Sequence, residues 1–315
     1  MKTFALRLGA AALALGLAAP AALAADPASC KAVRFSDVGW TDITATTAVA
    51  SVLLDSLGYE SEVKILSVPV TYASLKNKDI DVFLGNWMPT MEADIKAYRE
   101  DGSVETVRTN LEGAKYTLAV PKYTFDKGLK TFADIGKFKD DLDGKIYGIE
   151  AGNDGNRLII DMIEKDMFGL KGFDIVESSE AGMLSQVTRA AGRQQDVVFL
   201  GWEPHPMNAN IEMAYLDGGD DVFGPNFGGA TVHTNVRAGY TSECPNVGKF
   251  LENLEFSLAM ENEIMGAILN DGTEPNKAAQ AWLKGNPSVL DAWLDGVTTM
   301  DGGDAMAAAR GALGL

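Results

Sequence analysis

From residue 32 onward, apolar and polar positions along the chain switch repeatedly between two periods. "AVRFSDVGW" (32–40) reads as a strand running into a loop. "TDITATTAVASVLLDSLG" (41–58) reads as a helix, with Asp42 or Thr44 near its start and Gly58 as its stop. "SEVKILSV" (61–68) predicts a second strand, "TYASLKNKD" (71–79) a helix, "IDVFLGN" (80–86) a third strand and "MEADIKAYRED" (91–101) another helix. Val82-Phe83-Leu84 is apolar without alternation, which suits a strand buried on both faces. Strands alternating with helices point to a parallel sheet covered on both sides.

A similar series restarts after residue 114. "KYTLAVP" (115–121) and "KIYGIE" (145–150) predict strands, and the loop "AGNDGN" (151–156) feeds a helix, "RLIIDMIEKDMF" (157–168). "FDIVES" (173–178) follows as a strand, "AGMLSQVTRAAGR" (181–193) as a helix and "DVVFLG" (196–201) as a strand. "YLDGGDDVFGPNFGG" (215–229) is Gly-rich and irregular, and the chain beyond it is expected to be mostly helical, over 246–270, 275–285 and 287–295. The pattern predicts two α/β lobes of similar plan.

One phrase occurs in both series: "VFLGNWMP" at 82–89 and "VFLGWEPH" at 198–205. It marks an equivalent strand in each lobe. Ligands of open α/β sheets bind beyond the carboxyl ends of the strands. Trp87 and Trp202 each follow such a strand, and Trp40 follows "VRFSDVG" in the same way. If the lobes face each other, the three indoles share one cleft. A single tryptophan past a strand end serves equally well as packing, but the repetition favours a shared site. Trp282 and Trp293, in "AAQAWLKGNPSVLDAWLDGV", have apolar neighbours at helical spacing and read as packing residues.

Aromatic faces attract cations, each well-placed ring contributing about 0.5–2 kcal/mol. A quaternary ammonium group has no N–H to donate, so rings can hold it where a hydrogen-bonding pocket cannot. Asp42, two residues past Trp40, either adds Coulomb attraction or caps the helix start. Asn153 in "AGNDGN" offers a donor and an acceptor beside free helix-start amides, or is ordinary turn chemistry.

The rest of the chain narrows the setting. Lys2 and Arg7, an Ala-rich apolar stretch and Ala22-Leu23-Ala24 together read as a cleavable secretory signal over residues 1–24. No later stretch reaches the roughly 18 apolar residues of a membrane span. In an exported chain, two cysteines, Cys30 and Cys244, argue for a disulfide. The formal charge is −17, of which the leader contributes +2, leaving −19. Such acidity repels nucleic acid and anionic membranes. Enzyme chemistry finds little support: there are two histidines, His205 and His233, and no nucleophile-elbow, zincin, P-loop or Cys-x-x-Cys motif. His205, in "WEPHP", reads as a rim or structural residue. No catalytic residue, metal site or cofactor is expected.

"DVGWTDI", "LGNWMPTM", "AGNDGN" and "GWEPHPM" together resemble, across essentially the whole mature chain, the periplasmic substrate-binding proteins of ABC importers for choline and glycine betaine. The resemblance implies an α/β fold of two lobes joined by two crossover strands (type II), with the ligand in the interlobe cleft and closure about that hinge. Lobe I would take 25–113 and 228–315 and lobe II 114–227. It implies an aromatic box of Trp40, Trp87, Tyr116 and Trp202, with Asp42 and Asn153 on the hydroxyl end of choline. Its implied partners are choline or a related quaternary ammonium ligand and a membrane permease, and a monomer is expected. Choline is favoured over glycine betaine because a betaine carboxylate ~4 Å from an ionised Asp42 costs roughly 4 kcal/mol at an effective dielectric of about 20. Acetylcholine is expected to bind more weakly. Glycine betaine or proline betaine binding, choline sensing without transport, and an enzyme acting on choline or its esters are the alternatives.

Overall fold

The computed structural model describes residues 25–315; the signal expected over 1–24 lies outside them. Among the described residues, nine strands form one mixed sheet: β1 (Ala32–Asp37), β2 (Glu60–Ile65), β3 (Val82–Met88), β4 (Val104–Pro121), β5 (Lys145–Tyr147), β6 (Asp174–Val176), β7 (Phe199–Glu203), β8 (Met213–Tyr215) and β9 (Gly229–Arg237). The longer helices are α1 (Thr41–Ser56), α2 (Val68–Asn77), α3 (Glu92–Glu100), α4 (Asp154–Glu164), α5 (Glu180–Gly192), α6 (Pro245–Asn253), α7 (Leu258–Leu269), α8 (Pro275–Gly285) and α9 (Ala305–Leu313). Among the described residues, no helix is long and apolar enough to cross a membrane.

The strand order is β2-β1-β3-β9-β4-β7-β5-β6, with β8 beside β4. The expected parallel pairing holds at the two ends, β2-β1-β3 and β7-β5-β6. The middle is antiparallel, because β4 and β9 join the two ends. β4 pairs with β9 through its first part and with β7 and β8 through its last residues. At 18 residues it is far longer than the usual strand of about 5–6. Register slips along its pairing with β9, and Gly113 at φ +77°, let it bend as it passes from one half to the other.

The repeated phrase occupies equivalent places. β3 has a parallel neighbour, β1, and an antiparallel one, β9; β7 has β5 and β4 in the same relation. Trp87 and Trp202 do not lie past their strands, as the sequence suggested, but within their last residues. Cross-strand pairing carries each ladder further: Trp87 opposes Val232 and Trp202 opposes Tyr116.

α1 is rich in Thr and Val, which are indifferent helix formers. It forms because nearly every residue through Leu54 is buried, against β1, β3, α7, α8 and α9; tertiary packing outweighs propensity. The helix expected over 246–270 is two, broken at Leu254–Ser257, where the Ser257 hydroxyl caps α7 by accepting from the Met260 amide. The helix expected over 287–295 shrinks to Val289–Trp293, and 215–229 holds two single turns. Trp293 is buried and stacks on Trp282, as packing residues would.

Cys30 and Cys244 are joined, with Cα atoms 5.7 Å apart. The bridge ties the start of the described chain to the turn before α6 across 214 residues. Loop-closure entropy assigns such a link roughly 5 kcal/mol against the unfolded chain.

Candidate functional site

All six residues singled out from the sequence line one cavity of about 270 Å³: Trp40, Asp42, Trp87, Tyr116, Asn153 and Trp202. The rings come from separate elements. Trp40 precedes α1, Trp87 is the next-to-last residue of β3, Tyr116 lies in β4 and Trp202 lies opposite it in β7. The Tyr116 ring lies edge-to-face between Trp87 (centroids 6.0 Å apart) and Trp202 (6.2 Å). All four rings are buried.

Each polar edge of the box is held by a specific partner. Trp87 Nε1 donates to Asp42 Oδ2 at 3.1 Å, and Trp40 Nε1 donates to Glu150 Oε1 at 2.9 Å. Tyr116 Oη donates to Asn153 Oδ1 at 2.9 Å, which also accepts the Asn156 amide and so caps α4. Asn153 is thus both helix cap and site residue. Asp42 is not a cap: it is the second residue of α1, and the N-cap residue, Trp40, makes no side-chain cap bond. Asn156 pins the 149–156 loop by bonding the backbone of Ile149 and Glu150.

Ile149 and Asp154 also line the cavity, and the sequence reading missed both. Asp154 stood inside the quoted "AGNDGN", beside the residue chosen; only the turn into α4 decides which side chain faces inward. Phe223, in the stretch read as irregular, packs edge-on against Tyr116 (6.0 Å, 89°) and gave no sequence signal. His205 is buried against Trp202, with ring centroids 4.8 Å apart, and outside the cavity lining, in agreement with a structural role.

The electrostatics are one-sided. Among the described residues, no Lys, Arg or His lines the cavity. Asp42 and Asp154 are 1% and 0% exposed, and Asp42 Oδ1 and Asp154 Oδ2 have no hydrogen-bond partner. Burial, and then the charge of Glu180, push the Asp42 carboxyl up to about 8. Burial pushes Asp154 up to about 7. A buried polar atom without a partner costs about 1–3 kcal/mol. Both carboxyls line the same cavity as the four rings.

One glycine makes the box possible. A Cβ on Gly155 would collide with the Tyr116 hydroxyl and ring. Gly155→Ala is therefore expected to displace Tyr116, break its bond to Asn153 and weaken ligand binding about tenfold or more, read by titration of the site's tryptophan fluorescence.

The family model for the substrate binding domain of ABC-type glycine betaine transport systems matches residues 31–285. The chain belongs to this family. A solved structure described as an ABC-transporter choline binding protein in complex with choline is 72% identical, covering 91% of this chain and all of its own, with a TM-score of 0.91. A structure described as such a protein in an unliganded semi-closed conformation, at the same identity and coverage, superposes at 0.84. Lactococcal OpuAC in its closed, glycine betaine-bound form shares the fold at 24% identity and a TM-score of 0.75. The type II substrate-binding fold expected from the sequence is the fold found. Among curated proteins, the glycine betaine/carnitine transport binding protein GbuC of Listeria monocytogenes is 34% identical over 125 residues, 40% of each chain. An uncharacterised protein, ORF1, of Chromohalobacter salexigens is 56% identical over 129 residues, 41% of this chain and 83% of its own.

Proposed function

We propose that this chain is a periplasmic substrate-binding protein that captures choline, and acetylcholine more weakly, and delivers it to the permease of an ABC importer without chemical change. The observation that carries this reading is the pairing of four buried rings with two partnerless carboxyl oxygens in a small cavity without a cationic residue. Trp40, Trp87, Tyr116 and Trp202 enclose the trimethylammonium group, and Asp42 supplies the countercharge. Asp42 and Asn153, with Asp154 beside them, meet the hydroxyl end. The 72% identical choline complex supports the choice of ligand.

In this reading the signal over 1–24 is removed on export. Lobe I comprises 25–113 and 228–315, lobe II comprises 114–227, and β4 and β9 are the crossover strands between them. The lobes close on the ligand. A closed form is supported by the better superposition on the choline complex than on the semi-closed form, and by Arg157 of α4, which bonds Asp94 of α3 at 2.7 and 2.8 Å. Glycine betaine is the second reading, favoured by the family's description. Calorimetric titration with choline, acetylcholine and glycine betaine separates the two. Choline is expected to bind tightest, and tighter binding of glycine betaine would overturn the assignment.

A further inference from the structure

Glu180 is 4% exposed, yet it does not line the cavity. It opens α5, and its carboxylate accepts from the Thr41 amide (2.9 Å), the Thr41 hydroxyl (2.5 Å) and His205 Nε2 (3.3 Å). Thr41 stands between Trp40 and Asp42 as the first residue of α1, so its amide is one of the free donors at that helix start. His205 Nδ1 accepts from the Met207 amide at 2.9 Å, which places the ring proton on Nε2, facing Glu180. The same imidazole packs on Trp202. One carboxylate thus joins the start of α1 to the opposite wall of the box. Glu150 adds a parallel link, accepting the Trp40 indole N–H. Both acids belong to the 114–227 half; Glu180 reaches Thr41 and Glu150 reaches Trp40 in the other.

We propose that Glu180, with Glu150 beside it, is a positioning residue for ligand retention: a clasp that fixes Trp40 and the start of α1 against the Trp202 wall in the closed form without touching the ligand. This rests on the closing-cleft reading above. A buried carboxylate is tolerated only when hydrogen-bonded, and here the donors come from both halves. When the halves part, water replaces the donors, so the contacts favour the closed state alone. An interaction made only after closure slows release and leaves the encounter rate unchanged. A residue with an ordinary structural role would instead stabilise the ligand-free fold.

The test follows tryptophan fluorescence in stopped flow, with choline and with tetramethylammonium, on the full chain carrying Glu180→Ala, Glu180→Gln or Glu150→Gln. Glu180→Ala is expected to speed release about tenfold or more while association stays within about twofold. Glu180→Gln keeps an acceptor oxygen for Thr41 and should recover much of the loss. The melting temperature of ligand-free Glu180→Ala should match that of the wild type. An unchanged release rate, or a ligand-free melting temperature that falls in step with affinity, would overturn the clasp. A wild type that holds tetramethylammonium but not choline removes only the choline assignment, and the clasp is then decided on tetramethylammonium. A wild type that binds neither removes the cavity reading and the clasp together.

Discussion

Trp87→Ala is expected to weaken choline binding by well over tenfold, and by more than the loss of one ring face alone. The face contributes about 0.5–2 kcal/mol to holding the cation. The indole also donates to Asp42 Oδ2, and its removal would leave both oxygens of a buried carboxyl without a protein partner. The ring packs edge-to-face on Tyr116, so the neighbouring wall loosens as well. These losses are coupled, so the total should exceed that of Trp202→Ala, whose indole makes no bond to the carboxyl. Titration calorimetry on both variants checks the order. Wild-type affinity in Trp87→Ala would remove the aromatic box from the mechanism.

The sequence showed the box more clearly than the sheet that builds it. Trp87 and Trp202 were legible because a repeated apolar phrase announced two equivalent strands, each ending in an indole. The two strands that make the halves one molecule were not. β9, "GATVHTNVR", alternates Thr, His and Asn with apolar residues, and the first half of β4 carries Glu105, Thr106 and Arg108. β9 buries Thr234, Asn235 and Arg237 beside its apolar residues, and β4 is polar along its first half, so both resemble loops to a reading that seeks apolar runs. Tyr116 follows the same logic: within "KYTLAV" it is one more strand aromatic, and only its register opposite Trp202 makes it a wall of the cavity. Glu180 and Glu150 lie still further from view, since hydrogen bonds between distant segments leave no local pattern.

Choline affinity is expected to rise with pH up to about 8 and then level off, because the cation must displace protons from the site. In the ligand-free cavity Asp42 is pushed up to about 8, by burial first and by the charge of Glu180 next, and Asp154 to about 7 by burial. A trimethylammonium group on the rings favours the ionised carboxylates and pulls both values down. Between the ligand-bound and ligand-free values, binding therefore releases protons, and each proton released steepens the dependence by about tenfold per pH unit. The same shifts act on the fold in the opposite sense. Their stabilising share is complete below the unfolded carboxyl value and is lost as pH rises through about 7–8. The ligand-free protein should therefore lose melting temperature over that range while the shift induced by choline grows. Glycine betaine behaves differently, since a protonated Asp42 can donate to its carboxylate and an ionised one repels it. Discrimination for choline should widen from about pH 5.5 to about pH 8. Calorimetry in two buffers of different ionisation enthalpy measures the proton release directly. Asp42→Asn should lower affinity at high pH and flatten the profile to the share of Asp154. No proton release at neutral pH, with a flat choline profile, would mean that Asp42 is already ionised before the ligand arrives. The cation would then meet a fixed charge, and selection against betaine would be independent of pH.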